Sequence, residues 1–135
     1  MNAKELYDIL QELAAGEPST ANLRQLHEVI KLCAAEGCRS QGGTFGNLFS
    51  QIDFVCKHFG LKVQQKWAIQ QARRHSNSSE TLSRDEWYYD LRAVTLLIST
   101  IFHEDVPGSL LHLLPVNLQP QPSQLSINKR YLRYD

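Results

Sequence analysis

Residues 82–105, LSRDEWYYDLRAVTLLISTIFHED, restrict the possible folds of this chain more than any other stretch. Ser83 stands three residues before Glu86, the spacing of a capping box, in which each side chain accepts a hydrogen bond from a backbone N–H at the helix start. Leu82 and Trp87 flank the cap at the positions of a hydrophobic staple. From position 93 to 102 the stretch is apolar almost all round, interrupted only by Thr95, Ser99 and Thr100. A helix with no polar face must be covered by neighbours on several sides. The sequence therefore predicts a central helix over 84–103, with other helices packed around it.

The remaining chain supplies those neighbours. Asn2 and Glu5 form a cap-like N-x-x-E ahead of a first helix over 6–15, where Leu6, Ile9, Leu10 and Leu13 make one apolar face. Gly16 suits a left-handed helix end, and Pro18 prevents continuation. A second helix is expected from Ser19 or Thr20 to Glu36, with Leu23, Leu26, Val29, Ile30 and Cys33 on its stripe and Gly37 ending it. The short link between the two predicts an antiparallel hairpin.

A polar, glycine-rich connection over 37–43 leads to Thr44, the expected cap of a third helix. Phe45, Leu48, Phe49, Ile52, Val55, Cys56 and Phe59 give this helix the clearest periodicity in the chain, and Gly60 is its expected left-handed terminator. A fourth helix over 62–75 has a less regular pattern, with Val63, Trp67 and Ala68 inward and four glutamines blurring it. Residues 76–79, SNSS, read as a loop, and 109–114 as a short helix over the core. The third helix is the expected main partner of the central one.

The fold class that follows is all-α: a compact bundle of about five helices over 1–114, with a Pro-rich extended arm over 115–135. The arm's closing stretch has Ile127, Tyr131, Leu132 and Tyr134 among Lys129, Arg130 and Arg133, a composition suited to docking on another chain, including a second copy in a homodimer. Such a tail leads us to expect the N-terminal module of a larger protein. Three cysteines, an odd number with no signal-peptide layout, point to a reducing compartment and thus the cytoplasm. The longest apolar run is about half the ~20 residues that a bilayer requires, so no membrane contact is expected.

Fourteen basic and fourteen acidic residues balance, so any attraction to polyanions has to be local. Charge is in fact segregated. No acid occurs between Asp53 and Glu80, whereas Lys57, Lys62, Lys66, Arg73 and Arg74 do. At about 100° per residue, Lys62, Lys66 and Arg73 lie within roughly 40° of one another on the fourth helix. Ile69 falls inside this ridge, with Gln70 and Arg74 beside it. A solvated helix face explains such a ridge most simply. Exposed Ile69 favours a protein partner, and the cations with glutamine suit phosphates and base edges.

Other constellations read as structural. Residues 40–47, SQGGTFGN, lack the Lys-Ser/Thr of a phosphate-binding loop and read as a connector. Cys33, Cys38, Cys56 and His58 could in number satisfy zinc, but their C-x4-C and C-x-H spacings do not suit it. Cys38 is the only thiol expected to be exposed. His103, Glu104 and Asp105 with the later His112 have the residue types of a general acid/base pair, but the cluster at 103–105 reads as a polar helix stop, and Asp85, Glu86 and Asp90 as favourable charges near a helix start. Of adjacent Tyr88 and Tyr89, at least one should be exposed. No catalytic residue, metal ligand or cofactor is therefore assigned. The sequence favours a non-catalytic helical protein-interaction domain that docks a protein partner or its own downstream domains. The alternative is a nucleic-acid-binding accessory domain of a nucleic-acid-processing enzyme, binding DNA or RNA. Both readings use Lys62, Lys66, Ile69, Gln70, Arg73 and Arg74.

Overall fold

A computed structural model of the chain describes residues 2–42, 46–60, 69, 71 and 82–114. Among them are four α-helices and a closing 3-10 helix, with no strand, packed as a helical bundle. Helix α1 (Ala3–Ala15) starts three residues earlier than its apolar stripe, because the Asn2 side chain accepts from the Glu5 N–H at 2.9 Å and so caps the helix there. Leu6, Leu10 and Leu13 are buried as expected, together with Ala3 and Tyr7. Gly16 is extended rather than left-handed, and its N–H donates to the Leu13 carbonyl at 3.0 Å. The turn is instead held from the far side, where the Asn22 amide donates to the Glu17 carbonyl at 2.8 Å.

Helix α2 (Thr20–Ser40) is capped by Ser19, whose hydroxyl accepts from the Asn22 N–H at 3.1 Å. It runs through Gly37 instead of stopping there. The reason lies outside the helix: a Cβ at Gly37 would stand 2.8 Å from Val55 Cγ2 and 3.1 Å from Ile101 Cδ1. Gly37 is thus the point where α2, α3 and the central helix approach closely. Tertiary contact overrides a local stop signal that is worth only about 1 kcal/mol.

Helix α3 (Leu48–His58) is capped by Asn47, whose side chain accepts from the Ser50 N–H at 2.8 Å. The expected cap, Thr44, lies outside the described residues. At the other end Gly60 has φ +71°, and its N–H donates to the Lys57 carbonyl at 3.3 Å. That left-handed glycine is the expected terminator. Ile52 and Val55 form the fully buried part of α3, and they pack on α2.

The central helix, α4 (Arg84–Phe102), begins with a complete capping box. The Ser83 hydroxyl accepts from the Glu86 N–H at 3.2 Å, and Glu86 Oε1 accepts from the Ser83 N–H at 3.3 Å. Leu82 and Trp87 beside it are both buried. Every residue from Ala93 to Ile101 is buried. Two of the hydroxyls in this run are satisfied within the helix itself: Thr95 donates to the Leu91 carbonyl and Thr100 to the Leu96 carbonyl, each at 2.7 Å. The main partners of α4 are α1 and α2, not α3 as the sequence predicts; α3 reaches the core chiefly through α2. His103 ends α4 in the left-handed conformation, φ 57°. The 3-10 helix Gly108–Leu113 then lays Leu110, Leu113 and Leu114 over the core.

No helix among the described residues is long and apolar enough to cross a membrane. The expected arm over 115–135 and most of the fourth helix lie outside the described residues; Ile69 and Gln71 of that stretch are helical.

The Gly37 junction predicts that the effect of a methyl at residue 37 depends on residue 55. Gly37→Ala in the native background should lower the denaturation midpoint, because overpacking costs about 1–3 kcal/mol against a helix-propensity gain of about 1. In a Val55→Ala background the same change meets neither γ-methyl of residue 55, leaving Ile101 Cδ1 as the near neighbour, and should cost less or stabilise. Urea unfolding of the four proteins of that cycle measures it, and equal effects in both backgrounds would remove the close-approach explanation.

Candidate interaction surface

Among the described residues the candidate contact features include three grooves, one of them between the start of α1 and the end of α4 beside Tyr7 and Glu104, and two exposed aliphatic side chains, Leu32 and Ile69. The first groove, about 460 Å³, runs along the outer side of α3 and is lined by Phe49, Ser50, Asp53, Phe54, Lys57 and His58. These residues form two rows at four-residue spacing, so each row is a line of touching neighbours. In one row Lys57 Nζ lies 3.0 Å from Asp53 Oδ2. In the other, the His58 ring stacks on Phe54 with centroids 5.5 Å apart and 17° between planes. Phe59 meets His58 edge-on at 5.1 Å. The sequence places Phe49 on the core stripe of this helix, yet it is 40% exposed. The cause is the narrow buried arc of α3: Phe49 lies about 120° round the helix from Val55, beyond the part that α2 covers.

The second groove, about 490 Å³, lies between the start of α4 and the 3-10 helix, and is lined by Asp85, Tyr88, Tyr89, Arg92, His112 and Leu113. Tyr88 is exposed and Tyr89 half-buried, so the expectation that the two tyrosines diverge holds. The Arg92 guanidinium sits 5.1 Å from the Tyr89 ring centroid. The Tyr88 hydroxyl and the Glu17 carboxylate beside it raise the pKa of Arg84, which donates to Glu17 at 3.0 Å.

Of the six residues that the sequence assigns to a binding ridge, Ile69 is described. It is helical and 52% exposed, whereas Gln71, about 200° further round, is 1% exposed. Lys62, Lys66, Gln70, Arg73 and Arg74 lie outside the described residues.

The remaining candidates are dispersed. His103 and Glu104 are exposed, and the Tyr7 hydroxyl donates to the Glu104 carbonyl at 3.0 Å, tying α1 to the end of α4. Burial pushes the Tyr7 phenol above its ordinary value. Asp90, which the sequence places among the helix-start charges, is 2% exposed. No group of three or more His, Cys, Asp or Glu residues is arranged to hold a metal ion among the described residues.

Cys38 is buried rather than exposed, because α2 continues past Gly37 and turns its thiol toward α3, 3.7 Å from the Gln51 carbonyl. Burial raises the pKa of Cys33 and of Cys56 from 9.0 to about 12, the charge of Asp53 adding to the effect at Cys56, and raises that of Cys38 as well. The thiolate is therefore disfavoured at all three, and so is nucleophilic chemistry at neutral pH.

Comparison of the chain with protein-family models, with curated proteins and with solved structures gives no match.

The raised thiols predict alkaline instability. An acid whose folded pKa is raised adds stability that is complete below its unfolded pKa, here about 9, and is lost as pH rises toward the folded value of about 12. Across that window Cys33 should contribute a fall of up to about 1.4 kcal/mol per pH unit. Urea titrations repeated from neutral to alkaline pH should show a shallower fall for Cys33→Ala than for the native chain.

Proposed function

We propose that this protein is a non-catalytic helical interaction module that docks a protein partner through exposed apolar side chains. The observation that carries this reading is Phe49, 40% exposed in a groove that the stacked Phe54 and His58 also line. An aromatic side chain left in water beside a second, preorganised aromatic pair offers apolar area at low ordering cost. Ile69, more exposed still, adds an aliphatic side chain to the exposed apolar set. Aromatic anchors of this kind dominate protein–protein affinity more often than rim charges do. Candidate partners are downstream domains of the same protein or a separate protein.

The test is to replace the anchors without touching the core. Phe49→Asp with Ile69→Asp should keep the native melting temperature within a few degrees. It should also weaken capture of a partner from source lysate by at least about thirtyfold, the effect of losing Phe49 alone if that anchor is worth about 2 kcal/mol. A native chain that stays monomeric in light scattering and retains no partner on a pull-down would end this reading.

A second reading rests on the charge segregation of the chain, which has no acid between Asp53 and Glu80. In it, Lys62, Lys66, Arg73 and Arg74 contact DNA or RNA phosphates. Four such contacts give a log–log salt slope near −3.6, so affinity for duplex DNA should fall about a hundredfold between 50 and 200 mM salt. Lys66→Glu with Arg73→Glu should abolish retention at low salt; unchanged retention, or none from the outset, would eliminate nucleic acid.

A further inference from the structure

Helix α2 carries a run of exposed residues on the far side from the stripe that it buries. Ala21, Gln25, Glu28, Leu32, Ala35 and Arg39 are all exposed, Leu32 by 44%. Their spacings alternate between four and three, as along a coiled-coil seam. At about 100° per residue they fall within an arc of roughly 80°. The aliphatic side chains Leu32 and Ala35 stand toward the middle of the run. Glu28 lies four residues before Leu32, and Arg39 four residues after Ala35. About the midpoint between Leu32 and Ala35, the pattern is thus symmetric in spacing and opposite in charge.

We propose that this seam pairs antiparallel with the same seam of a second copy, about a two-fold axis at that midpoint. Such an axis sets Leu32 against Ala35 of the second copy and Glu28 against its Arg39, and each contact occurs twice. The antiparallel sense follows from charge. A parallel pair in register sets Glu28 against Glu28 and Arg39 against Arg39, like against like. Both charges already have a neighbour on their own helix: Lys31 Nζ lies 3.3 Å from Glu28 Oε1, and Arg39 Nε donates to Glu36 Oε2 at 2.9 Å. In the pair these contacts join into an alternating chain of Lys31, Glu28, Arg39 and Glu36 at each end of the seam. Side chains held this way in the single copy lose less freedom on association. Positions 27–40 overlap, about 20 Å of helix roughly 10 Å across. A contact of that size belongs to the small, transient class of interfaces, so the pair is weak and reversible. This inference does not rest on the docking role assigned to Phe49 and Ile69.

The test is sedimentation equilibrium of the full chain at low salt, up to about 1 mM protein. The native chain should show a monomer–dimer equilibrium that weakens as salt rises. Glu28→Arg alone and Arg39→Glu alone should each lose at least about tenfold in association, because each sets like charges together at both ends of the seam. Mixed in equal amounts, the two variants should associate with each other, since every pair across the seam is then opposite in sign. Mixing restores no contact within either helix, so an effect on folding does not recover. A native chain that is monomeric at 1 mM, a dimer that both single reversals leave intact, or a mixture that stays apart would each overturn the proposal. Loss of the dimer in Phe49→Asp with Ile69→Asp would overturn it equally, by placing the contact at those side chains.

Discussion

The structure depends on one constraint: α4 has to be dry all round from Ala93 to Ile101. Burying a Leu, Ile or Val side chain is worth about 1.5–3 kcal/mol, and this stretch buries Val94, Leu96, Leu97, Ile98 and Ile101 together. The capping box at Ser83 is worth about 1 kcal/mol by comparison. It determines where α4 starts, and burial determines that α4 persists. The two threonines are tolerated because each hydroxyl returns to a carbonyl of its own helix. No neighbour needs to supply a polar partner for them, so α1, α2 and the 3-10 helix can present leucines.

The position of α3 follows from a second, smaller choice. Gly37 gives up helix propensity so that Val55 and Ile101 can come within contact of the α2 backbone. Helix α3 is thereby drawn onto α2 along a narrow arc, Ile52 and Val55, instead of lying broadly against α4. A peripheral helix with a narrow buried arc leaves part of its apolar stripe in water. The exposed Phe49 and the groove over Phe54 and His58 are therefore consequences of how closely α2 is approached. Stability and the candidate surface have one origin.

Less of that surface than of the fold was legible beforehand. Periodicity assigns Phe49 to the core stripe, since it counts apolar spacing and is blind to how wide the covering neighbour is. The signals for the groove were nonetheless present, as the four-residue pairs Asp53/Lys57 and Phe54/His58. The exposure of Ile69 was readable from the charges around its helix. Cys38 and Gly37 were misread together, because a glycine near a polar stretch looks like a stop when the methyl groups that require it are eighteen and sixty-four positions away.

What the sequence determined alone is what local hydrogen bonding and apolar spacing decide: an all-α bundle, the caps at Asn2, Ser19 and Ser83, the left-handed end at Gly60, and a central helix needing cover on every side. The caps at Asn2, Ser19 and Ser83 each span three residues, so no distant partner is needed to read them. Tertiary structure alone decided that α2 continues through Gly37, that Cys38 is buried, and that α1 and α2 rather than α3 enclose α4. Each of those outcomes is settled by atoms far apart in the chain, whose contact energies exceed the roughly 1 kcal/mol at stake in a local preference.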